Sequence, residues 1–217
     1  VLPTGDGAYT YQWQESPDGI AFTDITGETS ATFDPPALFA DTWYKRLVTS
    51  SLNGTDCTEE TNMIRVSVIN FAPGSIDADQ TICEGATPAS LTSVASSGDG
   101  TKAYQWEFSL DGTSFNTIGG AINATYAPAS LSADTWYRRL ATATLNTVSC
   151  TEISDTVLIT VNNFDPGTIT ADQTICEGTA PAPFTSVAAS GDGTKTYQWQ
   201  FSTDSINYGN VLPGGIN

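Results

Sequence analysis

The chain has 217 residues, 39% of them hydrophobic, and 7 Lys+Arg against 24 Asp+Glu leave a net charge of −17. So few scattered cations among so many carboxylates cannot neutralise a row of phosphates, which excludes nucleic acid as a partner and disfavours anionic membrane surfaces. No apolar run approaches the roughly 20 residues that a spanning helix needs, so no direct membrane insertion is expected.

In chain order, the first predicted strand carries Tyr11-Gln12-Trp13, and a later one opens with Ala40-Asp41-Thr42-Trp43-Tyr44. After Cys57 comes the joint Asn70-Phe71-Ala72-Pro73-Gly74, whose proline begins the run Pro-Gly-Ser-Ile-Asp-Ala-Asp-Gln-Thr-Ile-Cys-Glu-Gly at 73–85. A Gly98-Asp99-Gly100 turn follows, and then a strand in which Tyr104, Trp106 and Phe108 alternate with Gln105 and Glu107. That period of two marks a half-buried strand. Turn signals recur at Asp111-Gly112, Gly119-Gly120 and Ala127-Pro128. Ala133-Asp134-Thr135-Trp136-Tyr137 then repeats the earlier motif. Cys150 precedes a last strand in which Val157, Ile159 and Val161 alternate with Leu158 and Thr160, and the joint Asn163-Phe164-Asp165-Pro166-Gly167 closes the pattern.

These landmarks recur at one interval. Tyr-Gln-Trp begins at 11, 104 and 197, so 104 − 11 and 197 − 104 are both 93. Cys57 maps onto Cys150 and Cys83 onto Cys176 at the same spacing. The expected organisation is a copy at 1–71 lacking its first strands, a complete copy at 72–164, and a copy at 165–217 lacking its last strands. Such a chain reads as a stretch of a longer tandem array. Short, proline-stiffened joints predict copies stacked end to end, each with its neighbours in the same chain as partners.

About seven short strands per copy, with no helical period, predict an all-β fold: tandem immunoglobulin-like or fibronectin III-like Greek-key β-sandwich repeats of 93 residues. Trp13, Trp106 and Trp199 occupy the central-strand position where such a core places its aromatic anchor. Leu131, Ala133, Thr135 and Tyr137 share one face, like Leu38, Ala40, Thr42 and Tyr44, and resemble a tyrosine corner. With Tyr44 and Tyr137 inward, Trp43 and Trp136 point outward as candidates for stacking on sugar rings of a surface polysaccharide. The opposite parity, burying Trp136 and Leu140, also fits the pattern.

Four Cys with no His fit an oxidising compartment, and without His or a C-x-x-C pair a zinc site lacks its ligands. Two pairings are open. A Cys83–Cys150 bridge would close the complete copy and is the favoured one. Cys57–Cys83 with Cys150–Cys176 would instead staple consecutive copies. The absence of His also excludes nucleophile–His catalysis. Glu59, Glu152, Glu84 and Glu177 recur, but a carboxylate site duplicated in every copy is not expected of an enzyme. No catalytic residue and no cofactor is assigned. Calcium is the remaining candidate: Asp6, Asp99 and Asp192 recur in Gly-Asp-Gly turns, and the oxygens of Asp77, Asp79 or Asp172 lie near the joints.

The run P-G-x-I-x-A-D-Q-T-I-C-E-G, then L/F-T-S-V, a glycine-rich turn, Y-Q-W, A-D-T-W-Y-[KR]-R-L and a late Cys resembles the Ig-like repeats of giant Bacteroidetes cell-surface adhesins, the SprB type used in gliding motility. The resemblance covers the whole chain. It implies type IX secretion, attachment at the outer membrane, outer-membrane motility or secretion machinery as partners, and a filament that spaces a binding tip from the cell.

Overall fold

The computed structural model describes residues 7–170 and 172–211. The fold is all-β, and among the described residues there is no helix long and apolar enough to cross a membrane. The chain divides into two compact units, and the division falls inside the complete copy. One unit holds Val1–Ser75, Val94–Tyr104 and Leu140–Ser154; the other holds Ile76–Ser93, Gln105–Arg139 and Asp155–Asn217.

The first unit is built on β1 (Ala8–Ser16), β2 (Thr23–Asp24), β3 (Thr42–Leu52), β4 (Thr55–Glu60) and β5 (Ile64–Val66). They form an antiparallel sheet of order β2-β1-β3-β4, with β5 also paired to β3. β3 is dense in β-branched and aromatic residues, and its register brings Trp13 opposite Arg46 and Tyr44 opposite Glu15. The hairpin from β3 to β4 turns on Asn53-Gly54, both at positive φ (51° and 82°). A two-residue loop needs this mirror-image turn to match strand twist. Past the last strand, β6 (Phe71–Ala72) pairs antiparallel with β8 (Ser97–Gly98).

In the complete copy β9 (Thr101–Ser109), β10 (Asn116–Thr117), β11 (Thr135–Leu145), β12 (Val148–Asn162) and the earlier β7 (Gln80–Cys83) form a sheet of order β10-β9-β11-β12-β7. β12 is one strand of 15 residues, so the expected last strand at 157–161 is only its final third. β7 joins it in parallel, Gln80 opposite Ile159 and Cys83 opposite Asn162. The core lies in the second unit: Ile76, Leu91, Trp106, Tyr137, Val157 and Ile159, with Ile82, Phe108, Ile118 and Tyr126 packed against it. Burial on β11 falls on Thr135, Tyr137, Arg139, Ala141 and Ala143, so the tyrosine parity is the one adopted and Leu140 is half-buried.

The third copy contributes β13 (Phe164–Asp165), β14 (Thr168–Ile169), β15 (Ser186–Val187), β16 (Ser190–Gly191), β17 (Gln200–Phe201) and β18 (Gly209–Asn210). They pair as antiparallel ribbons, β13 with β16, β14 with β15 and β17 with β18.

Candidate functional site

The two joints repeat one constellation. At the first, the Asn70 N–H donates to the Asp99 carboxylate at 3.0 Å, and the Asp99 N–H donates back to the Asn70 carbonyl at 2.9 Å. At the second, Asn163 and Asp192 exchange the same two bonds, at 3.2 Å and 2.7 Å. The flanking strands repeat as well: Phe71 faces Gly98 and Phe164 faces Gly191. A side chain at Gly98 (φ 93°) would run into the Asn70 carbonyl, so only glycine lets the loop approach the linker this closely.

The calcium candidates Asp99 and Asp192 are therefore engaged by backbone N–H groups. Their loop carbonyls are occupied too. The Lys102 ammonium reaches the carbonyls of Gly98, Asp99 and Gly100 at 2.9, 2.5 and 2.8 Å, and Lys195 reaches those of Gly191 and Gly193. The cation at these loops is part of the chain. Asp6 lies outside the described residues. Asp77 accepts from the Thr92 hydroxyl and Asp79 from the Leu158 N–H. Among the described residues no group of three or more His, Cys, Asp or Glu gathers to hold a metal.

Trp106 is fully buried and donates its indole N–H to the Asn123 carbonyl at 2.9 Å. Tyr126 bridges it to the buried Tyr137, with ring centroids 5.8 Å apart on both sides. Burial first, and then the Tyr126 hydroxyl, push the Tyr137 phenol up to about 12. In the first copy Trp13, Phe33 and the buried Tyr44 repeat the triad, at 5.7 and 5.8 Å. Trp199 is half-buried and stacks with Phe184. The candidate sugar platforms Trp43 and Trp136 are both half-buried. Their rings lie against Gly19 and Gly112 in the neighbouring hairpin turns, and Arg65 stands over Trp43 at 5.0 Å.

The basic pairs beside them split by parity. Lys45 pairs with Glu60 and Arg138 with Glu107, each at 2.8 Å. Arg139 points the other way and is fully buried, donating to the Ser93 hydroxyl at 2.5 Å and the Ala124 carbonyl at 2.8 Å. Its guanidinium lies 5.9 Å from the Trp106 ring centre. Arg46 is its counterpart, over Tyr11 and Trp13 and bonded to the Ala31 carbonyl.

The expected Cys83–Cys150 bridge is not made: Cys57, Cys83, Cys150 and Cys176 are all free thiols. Register gives the reason. Cys83 faces Asn162, and Cys150 lies twelve residues earlier on the same strand, about 40 Å of extended chain. A disulfide needs Cα atoms within about 4.4–6.8 Å. The recurring acids Glu59, Glu84, Glu152 and Glu177 are all exposed.

No curated protein matches this chain. The profile of a domain family of unknown function, DUF8696, matches three successive segments, 2–70, 72–163 and 165–216. Those segments take in nearly every residue, and the chain belongs to the DUF8696 family.

Proposed function

We propose that this chain is a structural repeat region, the stalk of a large secreted bacterial adhesin held at the outer surface of the cell. In this reading the copies are immunoglobulin-like sandwiches in tandem, none of them catalytic. The stalk serves surface adhesion and gliding motility, as the resemblance to SprB-type repeats implies. The observation that carries the reading is the repeated joint: Asn70 with Asp99 and Asn163 with Asp192 make the same reciprocal bonds 93 residues apart. What recurs is a way of joining one copy to the next, while the recurring glutamates Glu59, Glu84, Glu152 and Glu177 are exposed. The charge of −17 adds mutual repulsion that keeps neighbouring filaments soluble.

Antibodies raised against the chain test this on the source bacterium. Labelling along surface filaments, with loss of surface attachment when the repeat region is deleted, is the expected result. Labelling confined to the cytoplasm would overturn the proposal. The competing reading is a repeated carbohydrate-binding module acting by avidity, with Trp43 and Trp136 as its platforms. A glycan array separates the two: the stalk reading expects no binding even at millimolar sugar, because each ring already rests on a glycine turn.

A further inference from the structure

The loop that holds each linker is folded around a cation supplied by the chain. Gly98 and Gly100 stand at positive φ, 93° and 73°, as do Gly191 and Gly193, at 97° and 72°. In the first loop the carbonyls of Gly98, Asp99 and Gly100 converge on the Lys102 ammonium, at 2.9, 2.5 and 2.8 Å. Converging carbonyl dipoles repel one another at their negative ends, so this conformation is unfavourable without a positive charge at its centre. An ammonium suits the place because it brings three N–H donors to three carbonyls and no acceptor. Such charge-assisted bonds are about twice as strong as neutral ones.

The loop is confined on two sides. A side chain at Gly98 would meet the Asn70 carbonyl of the linker at 2.3 Å, and one at Gly100 would meet the Thr144 carbonyl of β11 at 2.6 Å. Asp99 lies between these two glycines, and its carboxylate accepts from the Asn70 N–H. The strand that carries Lys102 does not need the lysine. Subtracting 93 gives Tyr9, and β1 (Ala8–Ser16) spans the positions equivalent to β9 (Thr101–Ser109). The bonds of the ammonium go instead to the loop. The second joint repeats the arrangement: Lys195 donates to the Gly191 and Gly193 carbonyls, and Asp192 accepts from the Asn163 N–H.

We propose that Lys102 and Lys195 are the positioning residues of the two joints. Each ammonium occupies a cation site made of main-chain carbonyls and, by fixing the loop, holds Asp99 or Asp192 on the linker amide. The site selects a primary ammonium. A guanidinium is planar and forked, so it cannot aim three N–H groups from one atom at three converging carbonyls. This inference does not depend on the stalk reading, because it concerns a loop and the backbone that the loop holds.

Amide hydrogen exchange on the intact chain, read residue by residue by NMR, tests it. Lys102→Ala is expected to speed exchange at the Asn70 amide by about tenfold, as loss of the Asp99 bond would, and to leave the Asn163 amide unchanged. Lys102→Arg keeps the charge and should lose the same protection. In an Asp99→Ala background Lys102→Ala should add nothing further, because the lysine acts through that carboxylate. n-Propylammonium chloride replaces the missing part of the side chain and should restore protection to Lys102→Ala, whereas sodium chloride at the same ionic strength should not. Wild-type exchange at Asn70 in either single variant overturns the proposal. So does equal acceleration at Asn70 and Asn163, additive acceleration in the double variant, or an alanine variant that propylammonium leaves unchanged.

Discussion

Asn70 and Asp99, 29 residues apart in sequence, are joined by two hydrogen bonds that run in opposite directions between one backbone and one aspartate. The linker amide is thereby shielded by a side chain of the following copy. Asp99→Ala is expected to speed hydrogen exchange at the Asn70 amide by about tenfold, the equivalent of one net hydrogen bond. The Asn163 amide, served by Asp192, should be unaffected in that variant, and Asp192→Ala should reverse the pattern. Residue-resolved exchange by NMR reads both.

The hairpin between β11 and β12 turns on Asn146-Thr147, at φ 48° and 69°. The first copy has glycine at the second of these positions, Gly54. A β-branched residue held at positive φ is strained by about 1–3 kcal/mol, and glycine relieves this at an entropic cost of about 0.5–1 kcal/mol. Thr147→Gly is therefore expected to stabilise the protein by about 1 kcal/mol in urea unfolding, against the usual direction for a substitution to glycine.

Adjacent arginines should behave very differently. Arg138 is partly exposed, pairs with Glu107 and lies 3.9 Å from the Phe115 ring centre. Its truncation to alanine is expected to lower stability by about 1 kcal/mol. Arg139 is fully buried and bonded to Ser93 and Ala124. Arg139→Ala strips two charge-assisted bonds from the core, and about 3 kcal/mol is the expected loss. Equilibrium unfolding of both variants under one condition makes the comparison.

Stability should fall at both extremes of pH. Burial raises the Tyr137 phenol from 10 to about 12, favouring its neutral form in the fold. That contribution is complete below pH 10 and disappears as pH climbs from 10 towards 12. Asp111 shifts the other way. The backbone N–H groups of Ser114 and Thr113 and the Ser109 hydroxyl hold its carboxyl well below the ordinary carboxylate value. Its contribution is present above pH 3.8 and is lost as the solution is acidified through the lower folded value. Urea titrations across pH should show both limbs. Tyr137→Phe should flatten the alkaline limb and leave the acid limb unchanged.

All four cysteines should be found as thiols. Cys57, Cys83 and Cys176 are exposed and should react with a thiol reagent before the half-buried Cys150. Non-reducing peptide mapping is expected to give no Cys83–Cys150 cross-link.

Much of this fold is written locally. Alternation at Tyr104, Trp106 and Phe108 and the run Ala-Asp-Thr-Trp-Tyr locate β9 and the start of β11, because a half-buried strand imposes its period on its own residues. The parity at Tyr137 was open in the sequence, since Trp136 and Leu140 offer a second apolar face. It closes on the side that puts Arg139 inside, which hydropathy alone argues against. What admits the cation is a hydroxyl at Ser93 and a carbonyl at Ala124, both far away in the chain. The Asn53-Gly54 turn carries its signature openly, whereas Asn146-Thr147 hides the same turn behind an unfavourable residue. The joint was visible only as two separate motifs. Nothing near Gly98-Asp99-Gly100 says that its carboxylate serves Asn70, although both motifs return 93 residues on with their spacing of 29 intact.

The direction of that joint sets an order. The linker closing one copy is held by a loop belonging to the next, so each copy lends its stability backwards along the chain and receives support from its successor. In a row of such copies, stability is a nearest-neighbour sum. Resistance to pulling or proteolysis should then be lowest wherever a copy has no follower to hold its final strand, and the row would fray from that end first.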